Sequence, residues 1–206
     1  IDDGSMDNTS DIIQEEISAY RGSHEINFLV KDINKGLSDS VNTMIYEQAQ
    51  GEWCIFAAGD DVSSPYRATE VVNLARADPS LTVIQNGVTR IDEVGRVLGN
   101  LSPKTLSLRG SSKESALGAA AAYRRDSIIS FPPLGPKVVN EDIVLTTRAL
   151  ITGKFGIIEE SLVFWRRHTN NISGSSSQSF IERTSFARGE FQEYRLIARA
   201  QQIEDI

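Results

Sequence analysis

Gly51-Glu-Trp-Cys-Ile-Phe-Ala-Ala-Gly-Asp-Asp61 sets the architecture of this chain. Residues 53–57 form a continuous apolar run, the pattern of a strand covered on both faces of a parallel sheet. The run stops at Gly59, and two carboxylates follow, Asp60 and Asp61. Adjacent carboxylates at a strand end repel each other unless a cation or hydrogen-bond donors compensate. A divalent ion held through oxygen is one compensation. The other is a solvated Asp beside an Asp that caps the helix opening after Ser63-Ser64-Pro65.

Strands and helices alternate on either side of this stretch. Upstream, Ile1-Asp2-Asp3-Gly4-Ser5 reads as a strand end running into a polar loop, and a truncated strand there predicts a missing N-terminal piece. Asp7-Asn8-Thr9 offers helix caps, and Ile13, Ile17 and Tyr20 form the apolar stripe of the helix they open. Residues 26–30 read as a short strand, Asn34-Lys35-Gly36 as a loop, and Ser38 as the cap of a second helix burying Val41, Met44, Ile45 and Ala49. Downstream come a helix with Val71, Val72 and Leu74 inward, a strand over 81–88 and a hairpin turning at Gly95. The polar stretch 101–115 reads as a loop, 119–123 as strand or helix, and the proline-rich 131–136 as irregular. Glu141 and Asp142 open a helix, where the dipole favours negative charge. Short strands are expected over 155–158 and 162–165, and a Ser-rich linker over 174–177 leads into a terminal amphipathic helix. The alternation predicts an α/β three-layer fold with a mostly parallel central sheet. Ligands in such sheets bind beyond the carboxyl ends of strands, where both acidic stretches lie.

Composition limits the function. With 206 residues, at about 150 per domain, the chain makes one domain with a small appendage. It holds 21 Lys and Arg against 28 Asp and Glu, a net charge of −7, which argues against nucleic acid or an anionic membrane as the main partner. One cysteine, Cys54, excludes a disulfide framework and multi-cysteine zinc sites. No apolar run approaches the roughly 20 residues of a membrane span, and no stretch reads as a signal peptide. The expected location is cytoplasmic, with peripheral attachment at the inner face of the membrane as an option.

Single motifs leave their alternatives open. Asp2 and Asp3 before Gly-Ser could serve Asx-turn chemistry. Trp165-Arg166-Arg167-His168 could be a solvated basic edge or a phosphate clamp, since Arg makes forked contacts to phosphate oxygens. Their order is more telling: acidic loop, Asn-Lys-Gly loop, Gly-Asp-Asp, a long middle, Glu-Asp, then Arg-Arg-His. This order resembles the family 2 glycosyltransferases of the GT-A, Rossmann-like fold. The matching segments are Ile1-Asp-Asp-Gly-Ser-Met-Asp-Asn-Thr9, Asn34-Lys-Gly-Leu-Ser-Asp-Ser-Val-Asn42, the Gly51 to Asp61 stretch, Asn140-Glu-Asp142 and Trp165-Arg-Arg-His-Thr-Asn-Asn-Ile-Ser173.

The resemblance implies a catalytic domain over 1–175, lacking its first strand-helix unit, and a linker with helix over 176–206. It implies that Asp2, Asp3 and Ser5 receive the base and ribose of a nucleotide, bordered by Asn34, Lys35 and Gly36, with Asn42 behind them. Asp60 and Asp61 would hold Mn2+ or Mg2+, although the first Asp of the family's Asp-x-Asp motif is Ala58 here. Asp142 would be the general base with Glu141 beside it, and Arg166 and His168 would close over the diphosphate. The implied reaction is inverting transfer of a sugar from a nucleotide-sugar donor, a UDP-sugar first, to a hydroxyl of a glycan or lipid-linked saccharide. Cell-surface polysaccharide or glycolipid synthesis is the implied setting. A nucleotidyltransferase of similar architecture and a non-catalytic nucleotide-sugar or glycan-binding domain are the competing readings. Phe180, Phe191 and Tyr194 of the terminal helix need a cover, and the mixed charges of its polar face favour protein, its own domain or a homodimer partner, over a membrane.

Overall fold

Residue 2 is where the chain first meets itself. In the computed structural model, which describes residues 1–106, 116–136, 138 and 141–168, Asp2 makes a parallel bridge to Val30. The Asp2 amide donates to the Leu29 carbonyl at 2.8 Å, and the Lys31 amide donates to the Asp2 carbonyl at 3.0 Å. The strand expected over 26–30 is reduced to this bridge, because Gly4, at φ +79°, turns its partner away at once.

Helix α1, Thr9–Ala19, starts where Asp7 accepts bonds from the Thr9 amide and hydroxyl. Helix α2, Leu37–Asn42, passes directly into a π-helical turn, Thr43–Gln48, and buries Val41 and Ile45 as expected. Its cap is Gly36 rather than Ser38. Ser38 sits inside the helix, buried, and its hydroxyl donates to the Val138 carbonyl. Strands β1, Trp53–Ile55, and β2, Val62–Ser63, flank the Gly-Asp-Asp turn, and α3, Arg67–Ala77, follows. Strands β3, Leu81–Ile91, and β4, Val97–Leu101, form the expected hairpin, with Gly95 at φ +89° in its turn. A 3-10 turn, Gly118–Ala120, leads into β5, Ala121–Arg124, and then α4, Arg125–Ile129. Helix α5, Glu141–Thr152, and strand β6, Lys154–Arg166, complete the described residues.

The sheet runs β1-β5-β3-β6-β2, with β4 also paired to β3. It is mixed rather than mostly parallel: β3–β6 is parallel, whereas β1–β5, β3–β5, β3–β4 and β2–β6 are antiparallel. The apolar runs behind the parallel expectation report burial, which is set by layers on both faces and not by strand direction. Strand β1 lies at one end of this order and is only half-buried. The two short strands expected over 155–158 and 162–165 are one long strand, β6, whose pairing with β3 shifts register at Gly87. A Cβ on Gly87 would stand 2.7 Å from the Glu159 carbonyl oxygen, so this bulge needs glycine.

Successive residues of β3 face opposite sides, which gives the three layers. Val83 packs with Val41, Ile45, Tyr123, Val144, Leu145 and Ala149 beneath α2 and α5. Ile84 packs with Val71, Leu81 and Ala122 beneath α3. Residues 107–115 of the expected loop, Asn140, and the linker and helix expected over 174–206 lie outside the described residues, as does the boundary at 175.

Candidate active site

The acidic loop and the Asn-Lys-Gly loop form one unit. Asp2 is 6% exposed. Its carboxylate accepts bonds from the Ser5 amide at 3.0 Å, the Ser5 hydroxyl at 2.7 Å and the Ser10 hydroxyl. The Ser10 and Ser5 hydroxyls hold it below the usual carboxylate range. Asp2 and Ser5 thus shape the loop from within. Asp3 reaches across to the second loop and accepts from the Lys35 amide at 3.1 Å and the Gly36 amide at 2.7 Å. Burial acts to raise Asp3, but the Lys31 ammonium at 2.8 Å and these two amides outweigh it and hold the carboxylate low. Gly4 closes the junction: a Cβ there would lie 2.8 Å from the Asn34 nitrogen. Asn34 accepts from the Gly36 amide at 3.1 Å. Asn42 faces another way, exchanging bonds with the backbone of Leu134 at 2.9 and 2.7 Å.

The Gly-Asp-Asp turn is braced from β6. The Arg166 amide donates to Asp61 Oδ1 at 2.8 Å, and its guanidinium donates to the carbonyls of Asp60, at 2.9 Å, and Glu93, also at 2.9 Å. Arg166 therefore holds the turn through the Asp61 carboxylate and the Asp60 carbonyl. His168 Nε2 lies 2.9 Å from Asp60 Oδ2. Asp61 Oδ2 is buried and has no hydrogen-bond partner among the described residues. Burial pushes Asp61 up, and the Asp60 charge adds to this, against the Arg166 amide and the Arg67 charge. Arg67 is buried beneath the turn, bonded to Asn86 at 3.0 Å and Ser63 at 3.1 Å, and burial lowers it to about 10. Arg67 also reaches the Ala121 carbonyl at 3.4 Å, which ties the turn to the start of β5.

The second acidic pair meets the same end of the sheet. Glu141 and Asp142 occupy the first turn of α5, against Gly118. A Cβ on Gly118 would stand 3.4 Å from Glu141 Oε1 and 3.6 Å from Asp142 Cβ. Burial first, then the charge of Asp142, pushes Glu141 up to about 7. Gly118 precedes β5, and β5 pairs antiparallel to β1, with Ala122 opposite Ile55. The start of β5 thus lies beside the end of β1, from which the chain runs on to Asp60 and Asp61. One end of the sheet therefore carries both acid pairs.

The family model for Glycosyl transferase family 2 matches residues 1–129 of the 206. The chain belongs to glycosyl transferase family 2. Its family-2 match contains the acidic loop, the Asn-Lys-Gly loop and the Gly-Asp-Asp turn; Glu141, Asp142, Arg166 and His168 lie beyond it. No curated protein matches the chain. Among solved structures, the mannosyltransferase PcManGT from Pyrobaculum calidifontis, in complex with GDP-Man and Mn2+, is similar in fold, with a TM-score of 0.58 and 12% identity. The likeness covers 99% of this family-2 chain and 63% of that structure's chain.

Among the described residues no group of three or more His, Cys, Asp or Glu gathers to hold a metal. What this family-2 chain does offer is the Asp60 carboxylate, the His168 imidazole beside it, and the buried Asp61 oxygen that lacks a hydrogen-bond partner among the described residues. Such a set suits a divalent ion only when substrate phosphates complete the shell, the usual arrangement for Mg2+. The residues fit the ion on that condition. Sequence reasoning missed Lys31 and Arg67. A lysine after a short apolar run and an arginine at a helix start read as surface cations, and only the fold shows the acceptors that engage them.

Proposed function

We propose that this glycosyltransferase moves a sugar from a nucleotide-sugar donor to a hydroxyl acceptor with inversion at the anomeric carbon. The observation that carries the reading is the placement of both acid pairs at the same end of the sheet. Asp3, Ser5, Asn34, Lys35 and Gly36 are the proposed nucleotide pocket, with Asp2 shaping it. Asp60, with His168 and Asp61, would hold Mn2+ or Mg2+ together with the donor's diphosphate. The bound ion supplies Lewis acidity toward the negative charge that builds on the leaving diphosphate. Arg166 keeps the Gly-Asp-Asp turn in place for it.

Asp142 is the proposed general base. Its carboxylate takes the proton of the acceptor hydroxyl as that oxygen attacks the anomeric carbon. The new glycosidic bond forms as the bond to the diphosphate breaks, and the nucleoside diphosphate departs with its electron pair. One displacement inverts the centre, so no covalent sugar-enzyme intermediate forms. Glu141, pushed up to about 7, is about half protonated near neutrality, which limits the negative charge crowded against Asp142.

The donor class is UDP- or GDP-sugar: the first follows from the family resemblance, the second from the GDP-Man held by the similar structure. A glycan or lipid-linked saccharide acceptor at the cytoplasmic face of a membrane completes the proposal. No helix of the described residues is long and apolar enough to cross a membrane. Family membership weakens the nucleotidyltransferase alternative. The test is calorimetric titration with UDP-, GDP- and dTDP-sugars, each with and without Mn2+. Binding of one nucleotide class that strengthens with Mn2+ supports the reading, and no binding of any donor contradicts it.

A further inference from the structure

We propose that Lys31 is the positioning residue of the nucleotide pocket, fixing Asp3 and the Asn34-Lys35-Gly36 turn in the shape that takes the donor; this rests on the reading of that pocket above. The Lys31 side chain is only 12% exposed. An ammonium has three donors and no acceptor. All three are used: Asp3 Oδ1 at 2.8 Å, Asp39 Oδ2 at 2.7 Å and the Ser40 hydroxyl at 2.9 Å. These acceptors come from two separate pieces of chain. Asp3 belongs to the acidic loop, while Asp39 and Ser40 belong to α2. Lys31 itself follows the residue that bridges to Asp2. One cation thus joins the acidic loop to α2, the helix that follows the Asn34-Lys35-Gly36 turn.

Its removal would have a directional effect. Asp3 and Asp39 would share the space with no cation between them, and like charges so placed repel. Asp3 also receives the Lys35 and Gly36 amides, so its displacement would carry the second loop with it. The present close packing of that loop depends on Gly4, where a Cβ would stand 2.8 Å from the Ile33 carbonyl carbon and the Asn34 nitrogen. Exposed ion pairs contribute little, but this ammonium is largely covered and triply bonded. The consequence falls on the nucleotide end of the site, away from Glu141 and Asp142.

The experiment compares Lys31→Met, Lys31→Arg and Asp39→Asn with the unaltered chain. Binding of UDP, GDP and dTDP with Mn2+ is titrated, and kcat and donor KM are measured for the nucleotide sugar that binds. Lys31→Met is expected to weaken the nucleotide Kd by at least about tenfold, the effect of losing hydrogen bonds to charged groups. Donor KM should rise by a similar factor, with kcat held within about threefold. Lys31→Arg should recover part of the lost affinity. In a double-mutant cycle, Asp3→Asn should cost less affinity in the Lys31→Met background than alone. A Lys31→Met Kd within about twofold of the unaltered chain overturns the proposal, as does a loss confined to kcat. If Lys31→Met fails to fold, Asp39→Asn carries the same comparison, and an unchanged Kd there overturns it equally. An unaltered chain that binds none of the three nucleotides overturns the pocket itself, a result distinct from the others because they require that binding.

Discussion

Glu141→Gln replaces a carboxyl with a neutral amide of the same shape at a place where ionisation is disfavoured. Burial first, and the Asp142 charge second, move Glu141 from 4.5 to about 7. In the unfolded chain the proton leaves near 4.5; in the folded chain it stays to about 7. Between those values the folded state holds more protons, so stability falls as pH rises through the window and is level above it. The contribution is fully present below about 4.5 and fully lost above about 7. The displacement, 7 − 4.5 = 2.5, at about 1.36 kcal/mol for each whole step, comes to about 3 kcal/mol. Urea unfolding of both proteins at about pH 4 and about pH 8 measures it. The variant should match the parent at the lower pH and exceed it by about 3 kcal/mol at the higher. A stability difference that does not change with pH would refute the burial argument for this residue.

Three further outcomes follow from the same geometry. Asp60→Asn should abolish the part of nucleotide binding that depends on a divalent ion while leaving the melting temperature near that of the parent; unchanged binding of UDP and GDP by the parent in EDTA would remove the metal role. Asp142→Asn should bind donor normally and lose transfer by at least ~100-fold, the low end for a general base; near-native turnover would move the base to Glu141, and an equal loss of binding would point to a structural role. Arg67→Met should lower stability by about 3 kcal/mol, because the Asn86 amide oxygen and the Ala121 carbonyl lose a buried donor; a change under about 1 kcal/mol in denaturant titration would show that these acceptors find other partners.

The sequence carried the site in pieces. The end of the apolar run at Gly59 located Asp60 and Asp61 beyond β1, and the helix start at Glu141 located the second acid pair, because both signals are local. The Asn-Lys-Gly loop borders the acidic loop as the resemblance implied, through the contacts of Asp3 with the Lys35 and Gly36 amides. Strand direction was not legible. Residues 121–124, Ala-Ala-Tyr-Arg, carry a weak strand signal, yet β5 inserts between β1 and β3 and makes the sheet mixed. Arg166 read as a phosphate clamp because cations at a strand end favour anions. In the fold, carbonyls from the Asp60 and Glu93 turns also lie within reach of its guanidinium. Lys31 and Arg67 were invisible for a related reason: Asp3, which binds Lys31, and Asn86 and Ala121, which bind Arg67, are far away in sequence.

The stereochemistry of donor cleavage tests the account most directly. Water can stand in for the acceptor, so the slow hydrolysis of an α-linked nucleotide sugar can be followed by proton NMR before the released sugar mutarotates. Direct displacement assisted by Asp142 predicts that the β-anomer appears first, together with free nucleoside diphosphate, and that Asp142→Asn suppresses both. Initial release of the α-anomer, or cleavage that Asp142→Asn leaves intact, would contradict the proposed mechanism.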